Sequence, residues 1–244
     1  MNILIVYAHP ESTSFTAALK DTALRTLAAA GYKVEVSDLY GEGFNPVAGR
    51  HDFVTVLDPQ RFHYQSEQLH ASKMAGFSTE LAREQARLMR AELLLFVFPL
   101  WWGGLPAILK GWFDRVCAYG VAYADGMRFD GGFFVGRRAV LGIVTGGTPE
   151  RFSAGNTYGE IGDVLYPVRR CMLEYLGFEV IEPFVAYAAP RVDDAAREDY
   201  LRRWEARLRE IAADSSWHQR LRAQSGDAAA NRKPDEGSAW SLQR

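Results

Sequence analysis

The chain has 244 residues and a formal net charge of −2, with 48% hydrophobic and 24% charged side chains. Its lysines and arginines are scattered, which leaves no electrostatic footprint for nucleic acid or an anionic membrane, so small molecules are the expected partners. The length fits one α/β domain with elaborations, and no run approaches the ~18 uninterrupted apolar residues of an integral membrane segment; a soluble, cytoplasmic protein is expected.

In chain order, the run Asn2-Ile3-Leu4-Ile5-Val6-Tyr7 lacks a basic n-region and reads as a first strand over 2–8, not a signal peptide. A helix follows over 14–30, with Gly31 placed as its C-cap. A second strand is expected over 33–38, then a long loop over 39–78 carrying His63 and Tyr64, then a helix over 79–90. Residues 91–98 are almost continuously apolar, the pattern of a central strand buried on both faces. A helix over 106–118 opens on Pro106, which suits a first turn. A second long loop over 119–137 holds Tyr119, Tyr123 and Phe129 and leads to a strand over 138–145. A helix over 159–176, a strand over 178–186 and a helix over 193–213 complete the pattern. Strands alternating with helices predict a parallel sheet covered on both faces. Periodicity ends near Asp214, so residues 1–213 are expected as one domain and 214–244 as an extended or flexible tail, with Trp217 and Trp240 as its available anchors.

Cys117 and Cys171 fall inside expected helices, without CxxC spacing, and read as core thiols. His9, His51, His63, His70 and His218 show no ligand spacing, so no metal site is expected.

In an open parallel sheet, ligands bind outside the carboxyl ends of the strands. Unusual residues gather there after three strands. After the first, His9-Pro10-Glu11-Ser12-Thr13-Ser14-Phe15-Thr16 opens into a helix; hydroxyls and free N–H groups at such a start suit a phosphate, or Thr13 or Ser14 simply caps the helix. Neither a GxGxxG nor a Walker A pattern occurs. After the third, Phe98-Pro99-Leu100-Trp101-Trp102-Gly103-Gly104-Leu105-Pro106 offers two indoles as flat surfaces beside glycines; the other reading is ordinary core packing. After the fourth, Val144-Thr145-Gly146-Gly147-Thr148 offers turn N–H donors, or is a plain turn. Phosphate-binding, aromatic and donor-rich loops on one edge describe the parts of a flavin, whose reduced ring carries negative charge that such donors stabilise.

These residues resemble a known family. The blocks Ala8-His9 with Thr13-Ser14-Phe15, Ser37-Asp38-Leu39-Tyr40 leading to Phe44-Asn45-Pro46, Phe98-Pro99-Leu100 with Pro106-Ala107-Ile108-Leu109-Lys110-Gly111-Trp112-Phe113, Thr145-Gly146-Gly147, and Gly177-Phe178 with Glu182-Pro183 are similar to the NAD(P)H:quinone oxidoreductases of the DT-diaphorase type. The likeness runs from Ile3 to about Leu208. It implies a flavodoxin-like, doubly wound, five-stranded parallel sheet of order 2-1-3-4-5 with helices on both faces. It also implies FAD as cofactor, with FMN as the other option, a homodimer with sites at the subunit interface, and ping-pong hydride transfer from NAD(P)H through flavin N5 to a quinone. Carried over by position, the cofactor contacts are His9, Ser14, Phe15, Thr16, Ala18, Pro99, Leu100, Trp101, Trp102, Gly103, Thr145, Gly146, Gly147 and Arg197. Trp102, Gly147 and Tyr158 are the candidate catalytic positions, and Tyr123, Tyr175 and Asp125 the candidate substrate pocket.

The chain also departs from the family. A tyrosine and a histidine that relay a proton there are replaced by Phe152 and Tyr158, and Phe152 can donate nothing. His63 stands where the family places a glutamine, and Asp125 where it places a second pocket tyrosine; a carboxylate at the pocket mouth is expected to disfavour anionic acceptors. Competing readings are an azo- or nitroreductase, a reductase-like ancillary subunit of a potassium efflux system, and a flavodoxin-type electron carrier; the weak net charge and the aromatic loops disfavour the last.

Overall fold

The computed structural model describes residues 1–214. Its sheet takes the parallel order β2-β1-β3-β4, with the short strands β5 and β6 both pairing with β4. The strands are β1 (Asn2–Tyr7), β2 (Lys33–Asp38), β3 (Leu93–Pro99), β4 (Arg138–Val144), β5 (Glu179–Val180) and β6 (Phe184–Ala186). Every residue of β3 and β4 is buried, as their apolar runs require of strands covered on both faces.

The two-residue side-chain period divides the core into two layers. Leu4, Val6, Leu94, Phe96, Phe98, Leu141 and Ile143 point to one face, where α2 (Tyr64–Met74), α3 (Thr79–Arg90) and α4 (Ala107–Val116) pack. Ile3, Ile5, Leu93, Leu95, Val97 and Val140 point to the other, against α1 (Phe15–Ala29) and the C-terminal helix Asp194–Ala213. On that second face the fully buried Trp204 donates its indole N–H to the Leu19 carbonyl at 3.1 Å, tying the last helix to the first.

The structure corrects four expectations. The fifth strand, expected over 178–186, is two short strands, because Pro183 has no N–H to give to a ladder. The helix expected over 159–176 is instead α5 (Ile161–Val164), α6 (Tyr166–Val168) and a π-helical stretch, Arg169–Glu174; Pro167 removes a donor in its middle, and Gly159, with φ of 73°, precedes its start. The C-terminal helix is therefore α7. The long loop over 39–78 contains α2, whose buried residues are Glu67, Gln68 and Ala71, so no apolar stripe announced it. Cys117 is buried, but Cys171 is exposed on the π-helical turn. The expected tail lies outside the described residues except for Asp214, whose carboxylate accepts from Arg138 at 2.7 Å.

A buried ionic knot fixes the loop ahead of α2. Arg115, on α4, donates through Nε and Nη2 to Asp52 Oδ1 at 2.9 and 2.6 Å and through Nη1 to Glu80 at 2.8 Å; it also reaches the Asn45 carbonyl. Tyr64 donates to the other Asp52 oxygen at 2.6 Å. A second buried carboxylate, Glu84, accepts from Ser37 at 2.6 Å, Trp112 at 3.0 Å and Arg87 at 2.7 Å.

Candidate flavin site

An open cleft of about 370 Å³ lies beyond the carboxyl ends of β1, β3 and β4. His9, Ser14, Phe15 and Thr16 come from the first loop, Pro99, Leu100 and Trp101 from the second, Thr145 and Gly146 from the third, and Arg197 from α7. Val144, Ala189 and Pro190 complete the wall; Val144 opens the motif after the fourth strand but was not among the expected cofactor contacts, and nothing in the sequence singled out Ala189 or Pro190. Of the residues expected to bind a cofactor, Ala18, Trp102, Gly103 and Gly147 are not on this wall.

The first loop presents a helix start. Ser14 Oγ accepts the Ala17 N–H at 3.1 Å, so the capping reading of Ser14 holds, while the first-turn N–H groups of Phe15 and Thr16 have no acceptor within the helix. Glu11 accepts both the N–H and the hydroxyl of Thr13 at 2.9 Å, which holds its carboxyl below the ordinary carboxylate range. His9 Nδ1 accepts the Glu11 N–H at 3.0 Å, and its ring lies 6.0 Å from that of Trp101. Ser14→Ala is expected to cost about 1 kcal/mol of stability; chemical denaturation measures it, and a flavin titration of the same variant shows whether the cap also orders the cleft.

The second loop is a tight hairpin. Trp101 and Gly104 exchange backbone hydrogen bonds at 3.2 and 2.9 Å, and Trp102 and Gly103 between them take φ of 52° and 69°. A glycine accepts that conformation freely; a tryptophan does so at a cost of order 1–3 kcal/mol. Trp102 is fully exposed and Trp101 is 41% exposed, so neither indole is core. The Trp101–Gly104 hydrogen bonds offset that strain and leave the Trp102 indole in solvent, next in the chain to the cleft residue Trp101.

The third loop is held on its carbonyl side. Gly147 N–H bonds Thr145 Oγ1 at 3.1 Å, whereas the Gly146 N–H has no acceptor among the described residues. Behind the turn, the rings of Phe152 and Tyr158 lie 4.9 Å apart and that of Tyr187 lies 5.9 Å from Phe152; burial pushes the Tyr187 phenol upward. The expected pocket residues sit elsewhere. Tyr123 and Tyr175 form an edge-to-face chain with Tyr119 and Phe129 at 5.3 to 5.9 Å, and they do not line the cleft. Asp125 bonds Tyr119 and, after burial, is the main influence raising that phenol.

The cleft fits a flavin nucleotide. A helix start with two free N–H donors and the Arg197 guanidinium suit its phosphate, and Trp101 offers a flat surface for its ring. The unpaired Gly146 N–H suits a ring heteroatom, and apolar Pro99, Leu100 and Val144 fill the walls between.

Residues 1–208 match the family model described as Flavodoxin-like fold. NAD(P)H dehydrogenase (quinone) 1 of Cavia porcellus is 40% identical over 209 residues, covering 85% of this chain and 76% of that protein. The chain belongs to the flavodoxin-like NAD(P)H:quinone oxidoreductases. Ribosyldihydronicotinamide dehydrogenase (quinone) of Homo sapiens is 36% identical over 86% of this chain and 91% of its own. A Klebsiella pneumoniae protein solved as a candidate quinone reductase superposes with a TM-score of 0.83 at 36% identity, covering 86% of this chain and 85% of that one. The segment after β6 was not legible in the sequence of this quinone oxidoreductase: Ala189, Pro190 and Arg191 carry no motif and acquire meaning only by lying against the Thr145 turn.

Proposed function

We propose that this quinone oxidoreductase uses a flavin held in the cleft to carry out the reaction NAD(P)H + H⁺ + quinone → NAD(P)⁺ + hydroquinone. The observation that carries this reading is the convergence of three loops on one cleft, with helix-start donors, an exposed indole and an unpaired glycine N–H on its wall. When bound, the flavin supplies the two-electron relay through its N5 atom, taking hydride from the nicotinamide and releasing it to the quinone.

The chain's own residues bind and orient. Ser14, Phe15, Thr16 and Arg197 hold the phosphate end, Trp101 flanks the ring with the exposed Trp102 next to it in the chain, and the Thr145–Gly147 turn offers its Gly146 N–H where negative charge develops. FAD is the flavin favoured by the family likeness. Tyr123 and Tyr175, off the cleft of their own chain, with Asp125 beside them, are assigned to the acceptor pocket of a homodimer in which each copy completes the other's site. We assign the described body, residues 1–213, as the reductase domain and the cytoplasm as its compartment; no helix of the described residues is long and apolar enough to cross a membrane.

An anaerobic absorbance titration with NADH and NADPH, followed by a benzoquinone, tests the two half-reactions together. Bleaching and return of a bound flavin are expected; a colourless protein that takes up neither FAD nor FMN overturns the assignment. Chromatography of the released cofactor decides between the two flavins, and light scattering reads the dimer.

Phe152 removes one hydroxyl from the back of the turn and leaves Tyr158 beside it. With that hydroxyl donating the proton that the hydroquinone needs, Tyr158→Phe is expected to lower kcat about 100-fold or more. Stopped-flow kinetics of the acceptor step reads the change directly, and a kcat within twofold of the parent takes Tyr158 out of the chemistry.

A further inference from the structure

Three successive carbonyls of the flavin-side turn are bound by one short segment. Thr145 O accepts the Ala189 N–H at 3.2 Å, and Gly147 O accepts the Ala188 N–H at 2.8 Å. The Arg191 guanidinium, through Nη1, takes the carbonyl between them, that of Gly146. Ala188 adopts φ of 49°, a left-handed conformation that alanine rarely enters, so the backbone is strained where the segment turns to present these donors. With its three carbonyls engaged, the turn cannot rotate its peptides freely, and the Gly146 N–H stays unpaired at the cleft wall.

Arg191 is the charged member of this clamp. Its side chain is exposed and forms no ion pair among the described residues, so its charge is not cancelled by a neighbouring carboxylate. Arg197, the guanidinium on the cleft wall itself, is tied to Asp194 at 2.5 Å and to the Val192 carbonyl at 2.6 Å. The side chains behind the turn, Phe152 and Tyr158, bring no cation.

We propose that Arg191 is a positioning residue for the flavin, locking the Thr145–Gly147 turn through the Gly146 carbonyl and setting a permanent positive charge behind the turn that faces the ring. Two-electron reduction adds negative charge to a flavin, so a fixed guanidinium favours the reduced over the oxidised ligand, and a locked turn favours both. The inference rests on the flavin reading of the cleft. It assigns to a residue after β6 an electrostatic task that needs no titrating group.

The test compares the parent, Arg191→Gln and Arg191→Lys by FAD and FMN binding to the apoprotein, by the midpoint potential of the bound flavin, and by kinetics. Arg191→Gln is expected to hold the flavin about tenfold more weakly and to favour its reduced form tenfold less, a potential lower by about 30 mV for a two-electron couple. Arg191→Lys keeps the charge but not the fork, so it is expected to recover the potential more fully than the affinity. Thermal unfolding of the apoproteins is expected to be unchanged, since Arg191 is exposed. Arg191→Gln with parental affinity and potential overturns the inference while leaving the flavin site standing. A parent chain that binds neither flavin overturns both together.

Discussion

Arg115→Met is expected to lower Tm by roughly 6–20 °C, the effect of stranding a buried carboxylate at ~3–5 kcal/mol in a chain where each kcal/mol moves Tm by ~2–4 °C. Arg115 and Asp52 are 1% and 0% exposed, so water cannot replace the lost partner. Asp52 would keep only the Tyr64 hydroxyl at 2.6 Å, the Gly49 N–H at 3.2 Å and the neighbouring His51 ring. The Asn45 carbonyl and Glu80 lose the same guanidinium, so the loop from Phe44 to Tyr64 loosens as a unit. Asp52→Leu combined with Arg115→Met is expected to regain part of the loss, because the remaining charge is removed with its partner. Differential scanning calorimetry of the two variants decides it: a double variant no more stable than Arg115→Met would show that the knot matters through loop geometry and not through charge burial.

The same knot gives an alkaline limit. Burial, and then its bond to Asp52, push the Tyr64 phenol well above the ordinary tyrosine value. A raised value in the folded state means that the stabilisation is complete below about pH 10, where an unfolded tyrosine titrates, and is lost as pH rises toward the folded value. Unfolding free energy should therefore fall above about pH 10, and Tyr64→Phe should flatten that part of the curve.

Gly147→Val is expected to reduce kcat/KM by about 100-fold or more, comparable to losing a preorganised donor site. A Cβ at Gly147 would stand 2.6 Å from a ring carbon of Phe152 and 3.3 Å from one of Tyr158, distances that force the turn or the rings to move. The Gly147 N–H bond to Thr145 and the Ala188 N–H bond to the Gly147 carbonyl would shift with them. Flavin titration and steady-state kinetics of Gly147→Ala, alone and with Phe152→Leu, separate the causes. If crowding is responsible, the smaller side chain at 152 restores activity and the two changes are strongly non-additive. Equal losses with and without Phe152→Leu would place the defect in the turn's own backbone.

The alternation of apolar strands with helices was legible because β3 and β4 are buried on both faces and carry uninterrupted apolar runs. Motif position placed His9, Ser14, Pro99, Trp101, Thr145 and Gly146 at one edge, since strand ends in a parallel sheet converge whatever the intervening chain does. Helix α2 was illegible because its buried face carries Glu67 and Gln68, whose partners are contributed from distant positions. The break between β5 and β6 and the π-helical turn follow from prolines whose effect depends on the register of neighbouring backbone.

By itself, then, the sequence determined the layer architecture, the strand carrying each loop, and the chemical character of those loops, because hydrophobic period and turn composition are local properties. Only the tertiary structure decided which residues share a wall. It set Arg191 on the Gly146 carbonyl, Arg115 on Asp52, and Tyr123 and Tyr175 away from the cleft, contacts spanning 45 residues in the first case and 63 in the second. The physical reason is that hydrogen bonds and ion pairs between distant segments depend on the distances and angles to which the folded backbone brings them, and no local pattern in either segment records its partner.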